Sequence, residues 1–223
     1  MEGLGSLWAG GPDALVLLLG LAGLVWGVAA DRIAARWPAH EDGSVRGLGW
    51  RTLAVAALGT VALAAMPARF GDTGERLLFG VYFAGLVVLM ATDLDQRLLP
   101  DAITLPLIAL GGFALVWGGD TLVSRSPAWT AVAGAIIVPA LLFAVSLPFG
   151  TEALGDGDLL FMVSVGLMTG LVRIALAIFA GAMLLGVAVV TLLIARRITL
   201  KSYVPLGPFL IAGAVWAALL PAS

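Results

Sequence analysis

The chain has 223 residues, 61% hydrophobic and only 12% charged, with a formal net charge of −2. An ordinary soluble domain carries about a quarter of its residues as charged side chains, so this composition excludes a soluble globular class and points to an integral membrane protein. The absence of cysteine excludes a disulfide framework, a thiolate metal site and a cysteine nucleophile, and no basic run suggests a nucleic-acid partner.

A bilayer-crossing helix needs about 20 mostly apolar residues. Candidate stretches cover residues 14–30, 52–66, 77–92, 102–118, 129–147, 158–169, 172–195 and 205–220. The expected fold is all-α and polytopic, about eight transmembrane helices in one bundle embedded in membrane lipid. One domain over 1–223 is expected, with an N-terminal part over 1–70, a short cytoplasmic loop at about 31–51, and a core over 71–223. Glu2 and Asp13 precede the first stretch while Asp31, Arg32 and Arg36 follow it, the reverse of a cleavable signal, so a retained first helix starting outside is expected. The second and sixth stretches are short enough to be half-helices buried among neighbours.

If every stretch crosses, the cytoplasmic loops receive Arg32, Arg36, Arg46, Arg51, Arg97, Arg196, Arg197 and Lys201, and the outer side receives Arg69, Arg76, Arg125 and Arg173. Eight against four places both termini outside, on the periplasmic side. Trp37 and Trp50 then fall near the inner interface and Trp8, Trp117 and Trp129 near the outer one; Trp26 and Trp216 do not fit that belt. Pro100 and Asp101 are expected to open the fourth helix and Pro205 to introduce the last. Gly166 and Gly170 have the spacing of a close helix contact.

Ionisable groups near bilayer depth are functional candidates by default. Two acidic clusters stand out: Asp93-Leu94-Asp95-Gln96-Arg97-Leu98-Leu99-Pro100-Asp101 between the third and fourth stretches, and Gly155-Asp156-Gly157-Asp158 leading into the sixth. The expected topology puts both on the cytoplasmic side. Two carboxylates brought together there can divide labour over one proton, one as base on a water and the other as acid, which amide hydrolysis requires. The glycines flanking Asp158 allow close backbone approach or positive φ, and a helix beginning there aims its positive end at an anion or carbonyl oxygen. The plainer alternative is that Asp156 or Asp158 caps the sixth helix. His40 is a lone loop histidine, most simply solvated, and no serine sits in a nucleophile motif.

At these clusters the sequence resembles the type IV prepilin peptidases, membrane aspartyl proteases that share a Gly-x-Gly-Asp motif with preflagellin peptidases and presenilin-type enzymes. Asp93, Asp95, Leu99, Pro100 and Asp101 match the family's first motif, and Gly155, Asp156, Gly157 and Asp158 match its second. More loosely, residues 27–32 resemble the end of its first helix, and residues 204–209 its proline- and phenylalanine-rich stretch. The resemblance implies Asp93 and Asp158 as the catalytic pair of a protease core, with Asp95, Arg97, Pro100, Asp101, Gly155, Asp156 and Gly157 supporting geometry or substrate.

It also implies a prepilin or pseudopilin substrate whose short basic leader is cleaved ahead of an apolar helix, in a bacterial inner membrane with the active site facing the cytoplasm. The charges agree with that: residues 93–101 and 148–158 hold six acids (Asp93, Asp95, Asp101, Glu152, Asp156 and Asp158) against one base, Arg97, an excess that attracts a basic leader. Proteolysis by such a pair needs no metal or other cofactor. Bifunctional members also methylate the new N-terminus, which would require S-adenosylmethionine. Two departures stand out. The two Cys-x-x-Cys pairs that many members carry in the first loop are missing, and Leu160 replaces a lysine usual two residues after the second aspartate. Other readings of clustered aspartates are a Mg-dependent lipid-phosphate transferase and an ion-coupled transporter, which would want carboxylates or broken helices near the bilayer midplane.

Overall fold

The computed structural model describes residues 12–39, 43–123, 125–149, 155–199 and 204–221. Glu2, Trp8, His40, Glu152 and Lys201 lie outside them. The described chain is helical: α1 Pro12–Ala34, α2 Trp50–Ala64, α3 Met66–Arg69, α4 Thr73–Gln96, α5 Asp101–Gly118, α6 Ala128–Ser146, α7 Asp156–Thr169, α8 Leu171–Ile194 and α9 Gly207–Leu219. Six segments are long and apolar enough to cross a membrane, so this is a multi-pass membrane protein.

The helix ends follow local chemistry. Pro67 cannot continue the α2 hydrogen-bond ladder, so the chain restarts as the single turn α3. The two pieces together span 20 residues, which lengthens the second stretch beyond its expected bounds. Asp72 caps α4 by accepting from the Glu75 N–H at 3.1 Å. Pro100 stands one position earlier than expected, as the N-cap of α5, with Asp101 in the first turn. α7 and α9 have 14 and 13 residues, and both are shorter than the six long spans.

Helix α4 is the hub. Its apolar stretch is 67% buried, against 11% for α8, and α1, α2, α5 and α9 all pack on it. Phe70, Phe79, Tyr82 and Phe83 form its aromatic centre, with Phe70 and Phe79 stacked at 4.2 Å. Trp26, which had no place in an interfacial belt, donates its indole N–H to the Ala84 carbonyl at 3.0 Å and ties α1 to α4. At the end of the bundle away from the acidic clusters, buried Arg173 closes α9 by donating to the carbonyls of Ala217, Leu220 and Pro221.

Small residues carry the closest crossings, as expected where lipid removes any hydrophobic preference between helices. Gly166 lies on the α6 backbone, where a Cβ would come 2.4 Å from the Ala135 nitrogen; Gly170 instead ends α7 with φ 82°. The α1–α2 crossing is tighter still: a Cβ on Gly23 would fall 2.1 Å from the Gly59 carbonyl oxygen. Gly23→Leu should therefore cost about 2 kcal/mol or more, visible as a lowered thermal midpoint in detergent. Gly112→Ala, on a helix position with open space around it, should leave that midpoint unchanged or slightly raised.

Candidate active site

Three helix ends meet where the acidic clusters lie: the last turn of α4, the first turn of α7 and the first residue of α9. Asp93 sits in that last turn, only 6% exposed, and its Oδ2 is buried with no hydrogen-bond partner. Gly207, opening α9, lies flush on this carboxylate; a Cβ there would stand 2.5 Å from Oδ2. Arg97 ends α4 in the left-handed conformation, φ 58°, donating its backbone N–H to the Asp93 carbonyl at 2.9 Å. The chain thus turns sharply one helical turn past Asp93.

Helix α7 has Gly155 as its N-cap, followed by Asp156, Gly157 and Asp158, and no side chain caps it. Neither aspartate stands at the N-cap itself, but the Asp158 carboxylate lies against the Gly155 backbone at the helix start, so the capping alternative stays open for it. Asp156 is exposed and Asp158 half-buried. Of the two reasons for glycine here, only close approach is realised: Gly155 is extended at φ −69° and Gly157 lies within the helix. A Cβ on Gly157 would fall 2.8 Å from the Leu99 carbonyl oxygen and 3.0 Å from the Leu99 Cβ. The missing side chain lets α7 rest against the residue before Pro100, joining one motif to the other.

The result is a cavity of about 190 Å³ lined by Asp93, Arg97, Leu98, Leu99, Gly155, Asp156, Gly157 and Asp158. Six of the nine residues selected from the sequence meet there. Pro100 and Asp101 stand just outside as the start of α5. With Leu160 in the sixth apolar stretch, Arg97 is the only base among the described residues of the lining.

Asp95 turns away from this cavity. Its Oδ1 accepts from Arg46 Nε at 2.5 Å and from Arg51 Nη1 at 3.1 Å. Arg46 also pairs with Asp31, which is fully buried and is held in addition by Arg32 and by the Thr52 hydroxyl at 2.7 Å. Gln96 donates to the Pro38 carbonyl at 2.6 Å. The first loop is thereby strapped across the end of α4, two residues from Asp93. Gly207, Asp31 and Arg46 were not among the site residues selected from the sequence, whereas Asp95 was; Asp31 and Gly207 do lie in the looser matches at 27–32 and 204–209.

Residues 80–192 match the family model described as the type IV leader peptidase family. The chain belongs to the type IV leader peptidase family. Proteins named prepilin leader peptidase/N-methyltransferase are similar to it. The one from Burkholderia pseudomallei (strain K96243) is 32% identical over 183 residues, covering 81% of this chain and 53% of that protein. The one from Aeromonas salmonicida (strain A449) is 30% identical over 196 residues, covering 84% and 59%. The chain thus spans between half and three-fifths of the length of these relatives. No solved structure matches it significantly.

The strap is the element of this leader peptidase family site with the clearest energetic consequence. Removing Arg46 takes one partner each from Asp31 and Asp95, whose side chains are 0% and 2% exposed, leaving Arg32 and Thr52 on the first and Arg51 on the second, at a cost of about 1.5–3 kcal/mol. Arg46→Met should open the loop, and limited proteolysis in membranes should cut within residues 35–49 faster than in the parent. Unchanged cleavage there would show that the loop is held by other contacts.

Proposed function

We propose that this chain is a membrane aspartyl endopeptidase that removes the basic leader from prepilins or pseudopilins at the cytoplasmic face, with Asp93 and Asp158 as its catalytic pair. The observation that carries this reading is the meeting of two aspartates, from separate motif frames, on one small cavity where Asp93 presents a buried and unpaired oxygen. The cytoplasmic orientation rests on the distribution of basic residues between alternate loops.

Two carboxylates sharing such a cavity are not both ionised at once. The ionised one takes a proton from a water whose oxygen attacks the scissile carbonyl carbon. The protonated one then gives its proton to the leaving nitrogen as the C–N bond breaks. The α7 N-terminus, the positive end of its helix, lines the same cavity and favours negative charge developing on the carbonyl oxygen. Because Asp95 is engaged by Arg46 and Arg51, the acids among the described residues left to meet a basic leader are Asp156 at the mouth, Asp101 beside it and the pair itself.

The relatives' names join leader cleavage to N-methylation, and the methyl donor for that step would be S-adenosylmethionine. The two cavities beside the aspartates do not look like its site. The acidic cavity, about 190 Å³, is below the range of about 300–1,000 Å³ typical of cofactor sites, and a larger groove near it is walled almost entirely by apolar side chains. Leader cleavage is the activity these residues support. A transferase reading based on a metal-held phosphate finds no group of three or more acid or histidine ligands among the described residues, and a transporter reading finds the aspartates at helix ends.

Asp93→Asn and Asp158→Asn should each lower cleavage of a co-expressed prepilin by about a thousandfold with expression intact. Processing by both variants in membranes would refute the pair. Parent activity should persist in chelator, and the mass of the product shows whether a methyl group is added. Asp156→Asn should raise KM for a basic leader more than it lowers kcat, and the difference should shrink at high salt.

A further inference from the structure

Beside the acidic cavity, across the α4–α9 contact, lies an apolar groove of about 850 Å³. One wall is a stripe of α8 running from Leu184 to Leu192; the others are Trp50 of α2, Met90 and Leu94 of α4, and Phe209 and Ala212 of α9. Helix α8 packs on α6 and α9, and the groove separates its other face from α2 and α4.

Two contacts join the groove to the aspartates. Leu94 follows Asp93 directly on α4, and Pro208, also in the groove wall, follows Gly207, which seats on Asp93 Oδ2. A segment crossing this junction passes from the cavity that Asp93 shares with Asp156 and Asp158 to walls with almost no polar atom. That polarity step matches, in order, a basic leader followed by an apolar helix. The α8 stripe covers the nine residues from Leu184 to Leu192, a rise of about 12 Å, or about two turns of a bound helix.

We infer that this groove seats the first two turns of the substrate's apolar helix, so that the bond to be cut lies at the α4–α9 junction. The inference rests on the protease reading. The charge step selects this occupant over lipid, because a lipid chain gains nothing from the acids at the groove's end. Side-chain shape in the groove then sets which apolar helices are accepted, while the acids set which leaders are.

The test uses the full chain in membranes with a prepilin bearing a basic leader and a leucine-rich helix. A photoreactive benzophenone side chain at Ala188, in the groove wall, should cross-link to the substrate within the first two turns after the cleavage site, and unlabelled substrate should compete. Ala188→Phe and Ala212→Phe should each raise KM about tenfold or more with kcat within about twofold, and a substrate with alanines in those two turns should recover much of the loss. Cross-links only to lipid or to a second copy, or a KM unchanged by both substitutions, in membranes that still cleave the substrate, would overturn the groove assignment and leave the protease reading standing. Absence of cleavage by the parent chain would overturn the protease reading itself.

Discussion

A carboxylate edge buried without a hydrogen-bond partner is among the more costly features a fold can carry, worth a few kcal/mol even after relaxation. Asp93 Oδ2 is such an edge, and much of the surrounding architecture keeps it in place. The left-handed turn at Arg97 stops α4 one turn after it. Gly207 lets α9 close over it from one side. Gly157 lets α7 reach Leu99 from the other and brings the second aspartate to the same cavity. An unsatisfied polar group that several independent elements converge to hold is better explained by chemistry than by stability.

The strap from the first loop extends that logic to the N-terminal part. Asp31 ends α1, Thr52 begins α2, Asp95 ends α4, and Arg46 links the outer two across the loop. The helices before residue 70 therefore share an ionic network with the helix that carries Asp93, in addition to the apolar packing of Ala30, Ala34 and Val55 against Val87, Val88 and Ala91. In this chain, which has no cysteine, side-chain charges and backbone carbonyls hold the first loop against the end of α4.

Much of this was legible in the sequence because membranes impose a coarse code. Apolar runs gave the helices, and the two acidic clusters gave the cavity residues. What failed to show was any interaction whose partners are far apart in the chain and ordinary in type. Arg46 reads as a solvated loop base until Asp95, 49 residues away, is beside it. Gly207 is one of 29 glycines, and nothing in its neighbours says that its missing side chain faces a carboxylate. Trp26 looked misplaced only because an indole can satisfy its N–H on another helix as well as at an interface. The short α7 and α9 are similar cases. Hydropathy cannot say whether 13 or 14 apolar residues cross alone or are completed by neighbours, whereas the packing of α9 against both α4 and α8 is tertiary information.

The two glycines of the Gly-x-Gly-Asp motif, alike as letters, have different physical roles. Gly155 has an ordinary extended backbone, and a Cβ on it would meet only Asp158 Oδ2, at 3.5 Å, a normal contact. Its place at the N-cap, without a side chain, leaves the Asp156 and Gly157 N–H groups with no capping side chain, while the Asp158 N–H bonds the Gly155 carbonyl at 3.0 Å. Gly157 has no such latitude, since any side chain would drive α7 away from Leu99 and carry Asp158 with it. One glycine keeps donors open and the other sets a distance. Together they turn an ordinary helix start into a wall of a site whose opposite wall is the end of α4.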